Sequence, residues 1–276
     1  MANFVEILKA IVLGIVEGIT EWLPISSTGH MILVDEFLKL SVSPEFLEMF
    51  LVVIQLGAIL AVVLLYWKKI FPFTIKQKRL CAKRHILIMW LKILVACIPA
   101  GVVGFIWDDE LNALFYNFQT VAIMLILFGI LFILIENYNK KMTPRVRSLA
   151  EITYPIALMI GVFQLIAAVF PGTSRSGATI LGALLLGVTR TVAAEFTFFL
   201  AIPAMFGASV LKLVKFNASF AGIEIWLLII GMLVAFVVSM ITIKFLMSYI
   251  KKHDFKVFGW YRIVLGCIVL VYFLLK

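Results

Sequence analysis

The sequence predicts an all-α integral membrane protein with six transmembrane helices and two re-entrant helical hairpins, arranged as an inverted-topology repeat. The chain of 276 residues is 64% hydrophobic and only 14% charged, whereas soluble domains carry about 25% charged residues. Lys and Arg concentrate in loops between long apolar stretches, and the first half of the chain resembles the second. Residues 1–276 are therefore expected to form a single membrane domain.

The transmembrane helices are predicted from apolar stretches long enough to cross a hydrocarbon core of about 30 Å. These stretches are 50–67, 86–107, 113–135, 194–214, 223–249 and 257–275. The start of the chain lacks the charged segment and the small-residue cleavage site of a signal peptide, so we expect no removed leader.

The loops differ in charge, and this difference predicts the side on which each one lies. Since cytoplasmic loops are enriched in Lys and Arg, we expect the basic loops inside and both chain termini outside. The formal net charge of +9 then belongs to the inner membrane face, which argues against nucleic-acid binding. The basic loops contain Lys68, Lys69, Lys76, Lys78, Arg79, Lys83, Arg84, Lys140, Lys141, Arg145, Arg147, Lys251, Lys252 and Lys256, and the acidic turn contains Asp108, Asp109 and Glu110.

Two further apolar segments, 2–40 and 152–188, are interrupted by polar residues. In the first segment the return arm 31–40 would cover only about 15 Å as a helix, half of the hydrocarbon core. The second segment is interrupted by Pro171-Gly-Thr-Ser-Arg-Ser-Gly177. We expect each segment to enter the membrane, turn near its middle and return to the same side.

The two hairpins are related by an offset of 147 residues. Each half of the chain would contain one hairpin and three spans, an odd number, so the halves must have opposite orientations. The expected repeats are 1–136 and 152–276, joined by a cytoplasmic linker at 137–151, with a site at their interface. The matched pairs are Gly14 with Gly161, Glu17 with Gln164, Pro24 with Pro171, and Ser27 with Ser174.

Polar residues gather at the two hairpin tips, although polar groups at membrane depth are expensive and usually functional. Each return helix begins at a tip, so its free N–H groups and positive dipole end face the centre and favour an anion. Arg175 adds a guanidinium suited to phosphate oxygens. Thr179 either reaches the anion or hydrogen-bonds to its own helix. The other hydroxyls expected at the anion are Ser26, Ser27, Thr28, Thr173, Ser174 and Ser176.

Two carboxylates, Glu17 and Glu21, lie one helical turn apart and share a helix face. They would repel a phosphate unless a cation lay between them. A hard divalent cation, Mg²⁺ or Ca²⁺, takes carboxylate and phosphate oxygens together. We therefore expect Glu17 and Glu21 to hold such a cation.

Three nucleophiles are compatible with the first tip. Ser27 and His30 are three residues apart, so His30 could activate the Ser27 hydroxyl. Alternatively, His30 could attack phosphorus itself, or it could activate a metal-bound water. All three remain open at this point.

These motifs resemble those of the bacterial undecaprenyl-diphosphatases of the bacitracin-resistance type. The resemblance lies in Glu17-Gly-Ile-Thr-Glu21, Ser26-Ser-Thr-Gly-His30 and Pro171-Gly-Thr-Ser-Arg-Ser-Gly-Ala-Thr179, and length, hydropathy and spacing agree over essentially the whole chain. It implies an inner-membrane enzyme that needs a divalent cation and hydrolyses undecaprenyl diphosphate to undecaprenyl phosphate and inorganic phosphate. This reaction recycles the lipid carrier for peptidoglycan and confers bacitracin resistance, and the family's site is thought to open to the periplasm. The family's functional positions correspond to Glu17, Glu21, Ser27, His30, Ser174, Arg175 and Thr179.

On this interpretation the catalytic residues are Ser27, His30, Glu21 and Arg175, and the partners are the lipid substrate and the surrounding membrane lipids. The oligomeric state stays open between a monomer and a homodimer. The competing hypothesis is an inverted-repeat transporter or flippase for an anionic lipid or organic anion, because broken helices in inverted repeats are common in secondary transporters.

Overall fold

The structure, a computed structural model, describes residues 2–76, 79–216, 220 and 222–275, and these residues form a helical bundle. A 3₁₀ turn covers Leu149–Glu151, and two short antiparallel strands, β1 (Phe73–Lys76) and β2 (Arg79–Ala82), pair with Phe73 opposite Ala82. The helices are α1 (Ala2–Thr20), α2 (Ser27–Leu38), α3 (Pro44–Val53), α4 (Gln55–Leu65), α5 (Trp67–Ile70), α6 (Arg84–Phe115), α7 (Phe118–Asn139), α8 (Tyr154–Val169), α9 (Arg175–Leu185), α10 (Arg190–Lys215), α11 (Glu224–Tyr249) and α12 (Lys256–Leu275).

Six helices are long and apolar enough to cross a membrane, which confirms the six predicted spans to within six residues at each end. They are Pro44–Leu65, Arg84–Trp107, Phe118–Asn139, Arg190–Lys215, Glu224–Tyr249 and Lys256–Leu275. The first of them joins α3 to α4 at Ile54, and α6 continues beyond its span through a kink at Trp107.

The strand pair lies in the first basic loop, where sequence analysis expected only a charged connection. Its residues include the β-favouring Phe73, Thr74 and Ile75. Lys78, one of the basic residues assigned to this loop, lies outside the described residues.

The outward faces of the long helices carry large apolar side chains. Phe105 is 78% exposed, Ile241 is 65% exposed and Leu233 is 60% exposed. Continuous apolar surface of this kind is unfavourable in water but favourable against lipid. The described chain is therefore a multi-pass, predominantly helical membrane protein.

Small residues allow three pairs of helices to pack with their backbones in close contact. A Cβ placed on Gly129 in α7 would lie 2.7 Å from the carbonyl oxygen of Gly259 in α12, and the reverse distance is the same. A Cβ on Gly14 in α1 would lie 2.8 Å from the carbonyl oxygen of Gly231 in α11. In the same way, α8 packs against α6 through Gly161. Small residues at helix crossings are typical of membrane proteins, because burial of apolar surface from water does not drive packing in lipid.

The crossing of α7 and α12 can be tested with Gly129→Ala. We expect this substitution to lower the free energy of unfolding by about 1–3 kcal/mol, as overpacking does elsewhere, because its methyl group would meet the Gly259 carbonyl and Ile263. The measurement is the thermal unfolding midpoint of the purified protein in detergent.

The matched control for this prediction is Gly101→Ala. Gly101 lies inside the span of α6, and nothing described lies within 4 Å of a Cβ placed there. This change should leave the midpoint equal or slightly higher, since Ala favours a helix more than Gly. Equal midpoints for the two variants would contradict the packing assigned to Gly129.

Candidate active site at the two helix-hairpin tips

The two short helices α2 and α9 begin in the same unusual way. The residue before each helix, Ser26 or Ser174, has a positive φ, +75° and +69° respectively. Its hydroxyl accepts a hydrogen bond from the N–H of Gly29 or Gly177, at 3.3 and 3.1 Å. A residue other than glycine rarely adopts this backbone conformation unless its surroundings impose it. Such backbone strain is concentrated at functional sites.

These matching caps correct the expected equivalence of Ser27 with Ser174. Ser26 is the equivalent of Ser174, which is an offset of 148, because the second tip has one more residue between its proline and its cap. The backbone at Gly172 accommodates the longer turn with a φ of +90°. Ser27 and Arg175 therefore occupy the same place, the first residue of a return helix.

An ion pair joins the two tips. Arg175 Nη2 lies 2.9 Å from Glu21 Oε1, and Arg175 Nη1 donates to the carbonyl oxygen of Thr197 at 3.2 Å. The other oxygen of the same carboxylate, Glu21 Oε2, accepts a hydrogen bond from the Ser27 hydroxyl at 3.0 Å. Glu21 is only 6% exposed, so the pair is formed away from bulk water and its attraction is weakly screened.

A cavity of about 210 Å³ opens beside this ion pair. Polar groups from both tips line it together with Gln55 at the start of α4. The remaining wall is formed by small and apolar residues, including Ala204 and Met205 of α10. The predicted site residues that line the cavity are Glu21, Ser27, Thr28, Ser174 and Arg175.

The helix ends at this cavity have unused donors. The caps Ser26 and Ser174 take up the third N–H of each helix. Within the described residues, no protein acceptor faces the N–H groups of Ser27 and Thr28, or those of Arg175 and Ser176. Two helix N-termini with free N–H groups, together with a guanidinium, can bind an oxyanion.

Three of the hydroxyls that we expected to contact the anion do not line the cavity and are hydrogen-bonded elsewhere in the protein. Ser26 caps α2 and is fully buried. Ser176 donates to the carbonyl oxygen of Glu21 at 3.0 Å, which ties the second tip to the end of α1. Thr179 donates to the backbone of its own helix and accepts from the hydroxyl of Thr197 at 2.9 Å. Of the two alternatives for Thr179, the structure has the hydrogen bond to its own helix.

His30 also lies in a different place from the one expected. Its Nδ1 is 2.7 Å from the carbonyl oxygen of Ser26, and its Nε2 is 2.7 Å from the hydroxyl of Tyr261. A carbonyl can only accept, so Nδ1 carries a proton. Ser27 bonds to Glu21 and His30 does not line the cavity, so the structure contains no hydrogen bond between Ser27 and His30.

Glu17 is almost completely buried, and its Oε1 has no hydrogen-bond partner among the described residues. A buried carboxylate oxygen without a partner is unfavourable unless a proton or a cation neutralises it. Glu21 lies one turn further on, just past the end of α1, and reaches the cavity. These two carboxylates are therefore the residues here that could hold a divalent cation, although only Glu21 lines the cavity.

Arg262 of α12 is the main residue that sequence analysis missed. It is fully buried, and its guanidinium donates to the carbonyl oxygens of Pro24 in the first tip and of Gly172 and Thr173 in the second, at 3.3, 2.9 and 2.8 Å. It also reaches the carbonyl oxygen of Met124 at 3.4 Å. One cation that does not line the cavity thus holds both tips. The sequence feature that could have identified Arg262 is that it is a single Arg inside an apolar span, where charged residues are usually functional.

Arg262→Lys should loosen both tips, because an ammonium has three donors on one nitrogen and cannot reproduce the fork of a guanidinium. We expect the free energy of unfolding to fall by about 1–3 kcal/mol, the usual penalty for an unsatisfied buried group. Hydrogen exchange followed by mass spectrometry should show faster exchange at residues 22–30 and 170–178.

Arg147→Lys, in the exposed linker, is the control and should alter neither measurement. If Arg262→Lys left the exchange of both tips unchanged, the assignment of Arg262 as their common anchor would be wrong.

Comparison with known proteins gives a consistent result. Residues 10–268 match the family described as bacitracin resistance protein BacA. The chain is similar to the undecaprenyl-diphosphatase of Desulfitobacterium hafniense, with 73% identity over 98% of this chain and 96% of the relative. It is also similar to undecaprenyl-diphosphatase 1 of Clostridium acetobutylicum, with 68% identity over 98% of each chain, and to an undecaprenyl-diphosphatase of Enterococcus faecalis, with 62% identity over 98% of each chain.

The match covers both hairpin tips, Arg262, the first five spans and the sixth span as far as residue 268. The chain therefore belongs to the bacitracin resistance protein BacA family.

Proposed function

We propose that this protein is a membrane phosphatase that hydrolyses undecaprenyl diphosphate to undecaprenyl phosphate and inorganic phosphate. Relatives that carry the name undecaprenyl-diphosphatase share 62–73% of their residues with nearly the whole chain. The reaction recycles the lipid carrier of cell-wall synthesis in the bacterial inner membrane. It also confers resistance to bacitracin, the property for which the family is named.

The observation that carries this proposal is the arrangement around the Glu21 carboxylate. One of its oxygens holds the guanidinium of Arg175 and the other accepts the proton of the Ser27 hydroxyl. Nucleophile, proton acceptor and anion-binding group thus lie at one cavity, each at the start or end of a helix. Phosphoryl transfer requires positioning and charge neutralisation of this kind.

In the proposed mechanism, the terminal phosphate of the substrate binds at the two helix N-termini and Arg175. Ser27 Oγ attacks the terminal phosphorus while Glu21 accepts its proton. The bond from that phosphorus to the bridging oxygen breaks, and undecaprenyl phosphate leaves with the bridging oxygen. Water then hydrolyses the phosphoserine, which releases inorganic phosphate and restores Ser27.

His30 has a different role in this mechanism from the one that sequence analysis gave it. Its two ring nitrogens are held by Ser26 and Tyr261. The contact with the carbonyl of Ser26 fixes the backbone just before Ser27 and thus supports the strained cap. Glu21 replaces His30 as the group that takes the proton from Ser27.

Glu17 and Glu21 would hold the divalent cation, Mg²⁺ or Ca²⁺, with phosphate oxygens and water completing its ligands. When bound, the cation would neutralise charge on the phosphates. The partnerless oxygen of Glu17 supports this assignment.

The lengths of the short helices support the re-entrant interpretation of both hairpins. Helices α2 and α9 contain 12 and 11 residues, so they cover about 16–18 Å, well short of a bilayer core. Helix α1 of the first half packs against α11 of the second, and α8 of the second half packs against α6 of the first. The two halves also meet where α7 crosses α12 at two glycines. This reciprocal pairing supports an inverted repeat of 1–136 and 152–276.

The position of the cavity along α10 supports a site that opens to the periplasm. The first turns of α10 carry Glu195, which pairs with Lys69 of a basic loop at 2.7 Å. The cavity is lined by Ala204, Met205 and Ala208, which lie towards the other end of the helix. With the basic loops in the cytoplasm, the cavity lies in the outer half of the membrane and both chain ends lie outside.

The covalent step can be tested by trapping. Wild-type protein in detergent, given a polyprenyl diphosphate with a radiolabelled terminal phosphate and quenched in acid, should carry label on Ser27. Ser27→Ala should carry none, and its phosphate release should fall by about three orders of magnitude or more, as when other hydrolases lose their nucleophile.

Ser248→Ala, which changes an exposed serine of α11, serves as the control and should release phosphate at the wild-type rate. Near-normal release by Ser27→Ala would eliminate Ser27 as the nucleophile. If the wild-type protein released no phosphate in detergent but took up anions in vesicles, the transporter hypothesis would replace the phosphatase.

The cation assignment can be tested with Glu17→Gln, which keeps the shape of the side chain but removes its charge. Loss of a group that supports a metal typically weakens binding by about 10–100-fold. Mn²⁺ binding, followed by electron paramagnetic resonance, and the Mg²⁺ concentration for half-maximal phosphate release should both shift by such a factor. The control is Glu48→Gln, at an exposed carboxylate paired with Lys212, which should leave both Mn²⁺ binding and the Mg²⁺ requirement unchanged. If Glu17→Gln also left both unchanged, Glu17 would not belong to the cation site.

A further inference from the structure

A second, larger cavity lies at the opposite end of the bundle, where the basic loops meet the helices. Its volume is about 650 Å³, within the range of small-molecule sites. Four elements form it: α5, the first turns of α6, the 3₁₀ turn and the first turns of α10. None of its lining residues lines the cavity at the hairpin tips.

The lining of this basic-end cavity is strongly positive. It includes Lys68, Lys69, Lys92 and Arg147, but only one carboxylate, that of Glu195. Glu195 is already paired with Lys69. In the described part of the chain, the other three cations have no carboxylate within 4 Å. Glu151, in the adjoining 3₁₀ turn, accepts from the backbone N–H of Arg147 and from the Ser148 hydroxyl.

Lys92 distinguishes this cavity from an ordinary patch of surface charge. It is 8% exposed and lies two turns inside α6, about 12 Å from the first residue of the helix. Its ammonium donates to the carbonyl oxygen of Ala150 at 3.2 Å, and no described carboxylate balances its charge. A buried cation without a counter-ion is unfavourable, so a bound anion would stabilise it.

The floor of the cavity is apolar, formed by Ile86, Met89 and Val192 among others. The cavity therefore combines a cationic rim with an apolar floor at the boundary of the membrane. Basic pockets between helices at the cytoplasmic surface are typical sites for anionic lipid headgroups. A small soluble anion could bind the cations of the rim, but contact with the apolar floor would add nothing to its binding free energy.

We propose that this basic-end cavity binds the phosphate of an anionic phospholipid from the adjacent leaflet, with Lys92 as the innermost contact. This site is separate from the catalytic cavity and does not depend on the proposed phosphatase mechanism. The ligand chemistry is a phosphate diester with attached acyl chains, for which phosphatidylglycerol is a suitable probe.

The test measures lipid binding by the full-length protein in neutral detergent. Increasing phosphatidylglycerol should raise the thermal midpoint with saturation, and native mass spectrometry should show the lipid retained. Lys92→Met should weaken this binding roughly fivefold or more, since one basic residue near an anionic headgroup contributes about that factor. Lys92→Arg should retain most of it.

Lys252→Met is the matched control, because it removes the same charge from an exposed position that does not line the cavity. Its affinity for phosphatidylglycerol should equal that of the wild type. If Lys92→Met lowers the midpoint without lipid, the double variant Lys68→Gln/Arg147→Gln carries the test, since both side chains are exposed.

Three outcomes would overturn the proposal. Unchanged affinity in Lys92→Met, or in the double variant where that variant is needed, would show that these residues do not form the site. An equal effect of phosphatidylcholine would remove the role of charge. Complete displacement by sodium phosphate, but not by sodium chloride at matched ionic strength, would identify a soluble phosphate as the occupant instead of a lipid.

Discussion

The structure depends on one constraint, which is that the polar ends of two broken helices lie inside an apolar bundle. Backbone groups without partners are expensive at that depth. The protein satisfies them from opposite directions. Arg262 takes the carbonyl oxygens of both turns, while the N–H groups of α2 and α9 remain directed towards the cavity. The donors at the cavity are therefore fixed in place before any ligand arrives, which is the form of preorganisation that stabilises a transferring phosphate.

The two tips have the same geometry but different chemistry. Ser26 and Ser174 adopt the same strained cap, and the next residue in each tip faces the same carboxylate. In one tip that residue is Ser27, which supplies a nucleophile, and in the other it is Arg175, which supplies a cation. Because these two residues differ, the site is asymmetric, with a hydroxyl on one side of the carboxylate and a guanidinium on the other. Glu17 and Gln164, which the predicted repeat pairs, are both buried with an oxygen that lacks a partner among the described residues.

The sequence predicted the spans well because a hydrocarbon environment imposes length and composition on each helix directly. It also predicted that Glu21, Ser27 and Arg175 belong to one site, because polar residues at membrane depth are rarely idle. It could not predict that Glu21 would pair with Arg175, 154 residues away, since that contact depends on how the hairpins face each other. The offset of 147 residues between the two hairpins does not hold after Pro171, because the second turn has one more residue. A single added residue in a turn leaves no hydropathy signal. His30 was misplaced because spacing on a helix does not specify which side chain a neighbouring helix, here α12 with Tyr261, will capture.

The position of Arg262 along the chain has a consequence for biosynthesis. The residue that fastens both turns belongs to α12, which leaves the ribosome after α1 to α11. Until that last helix enters the membrane, the carbonyl groups of the two turns lack their shared cation. The nascent protein is therefore expected to remain inactive throughout translation, and chains interrupted before α12 would insert without acquiring a finished active centre.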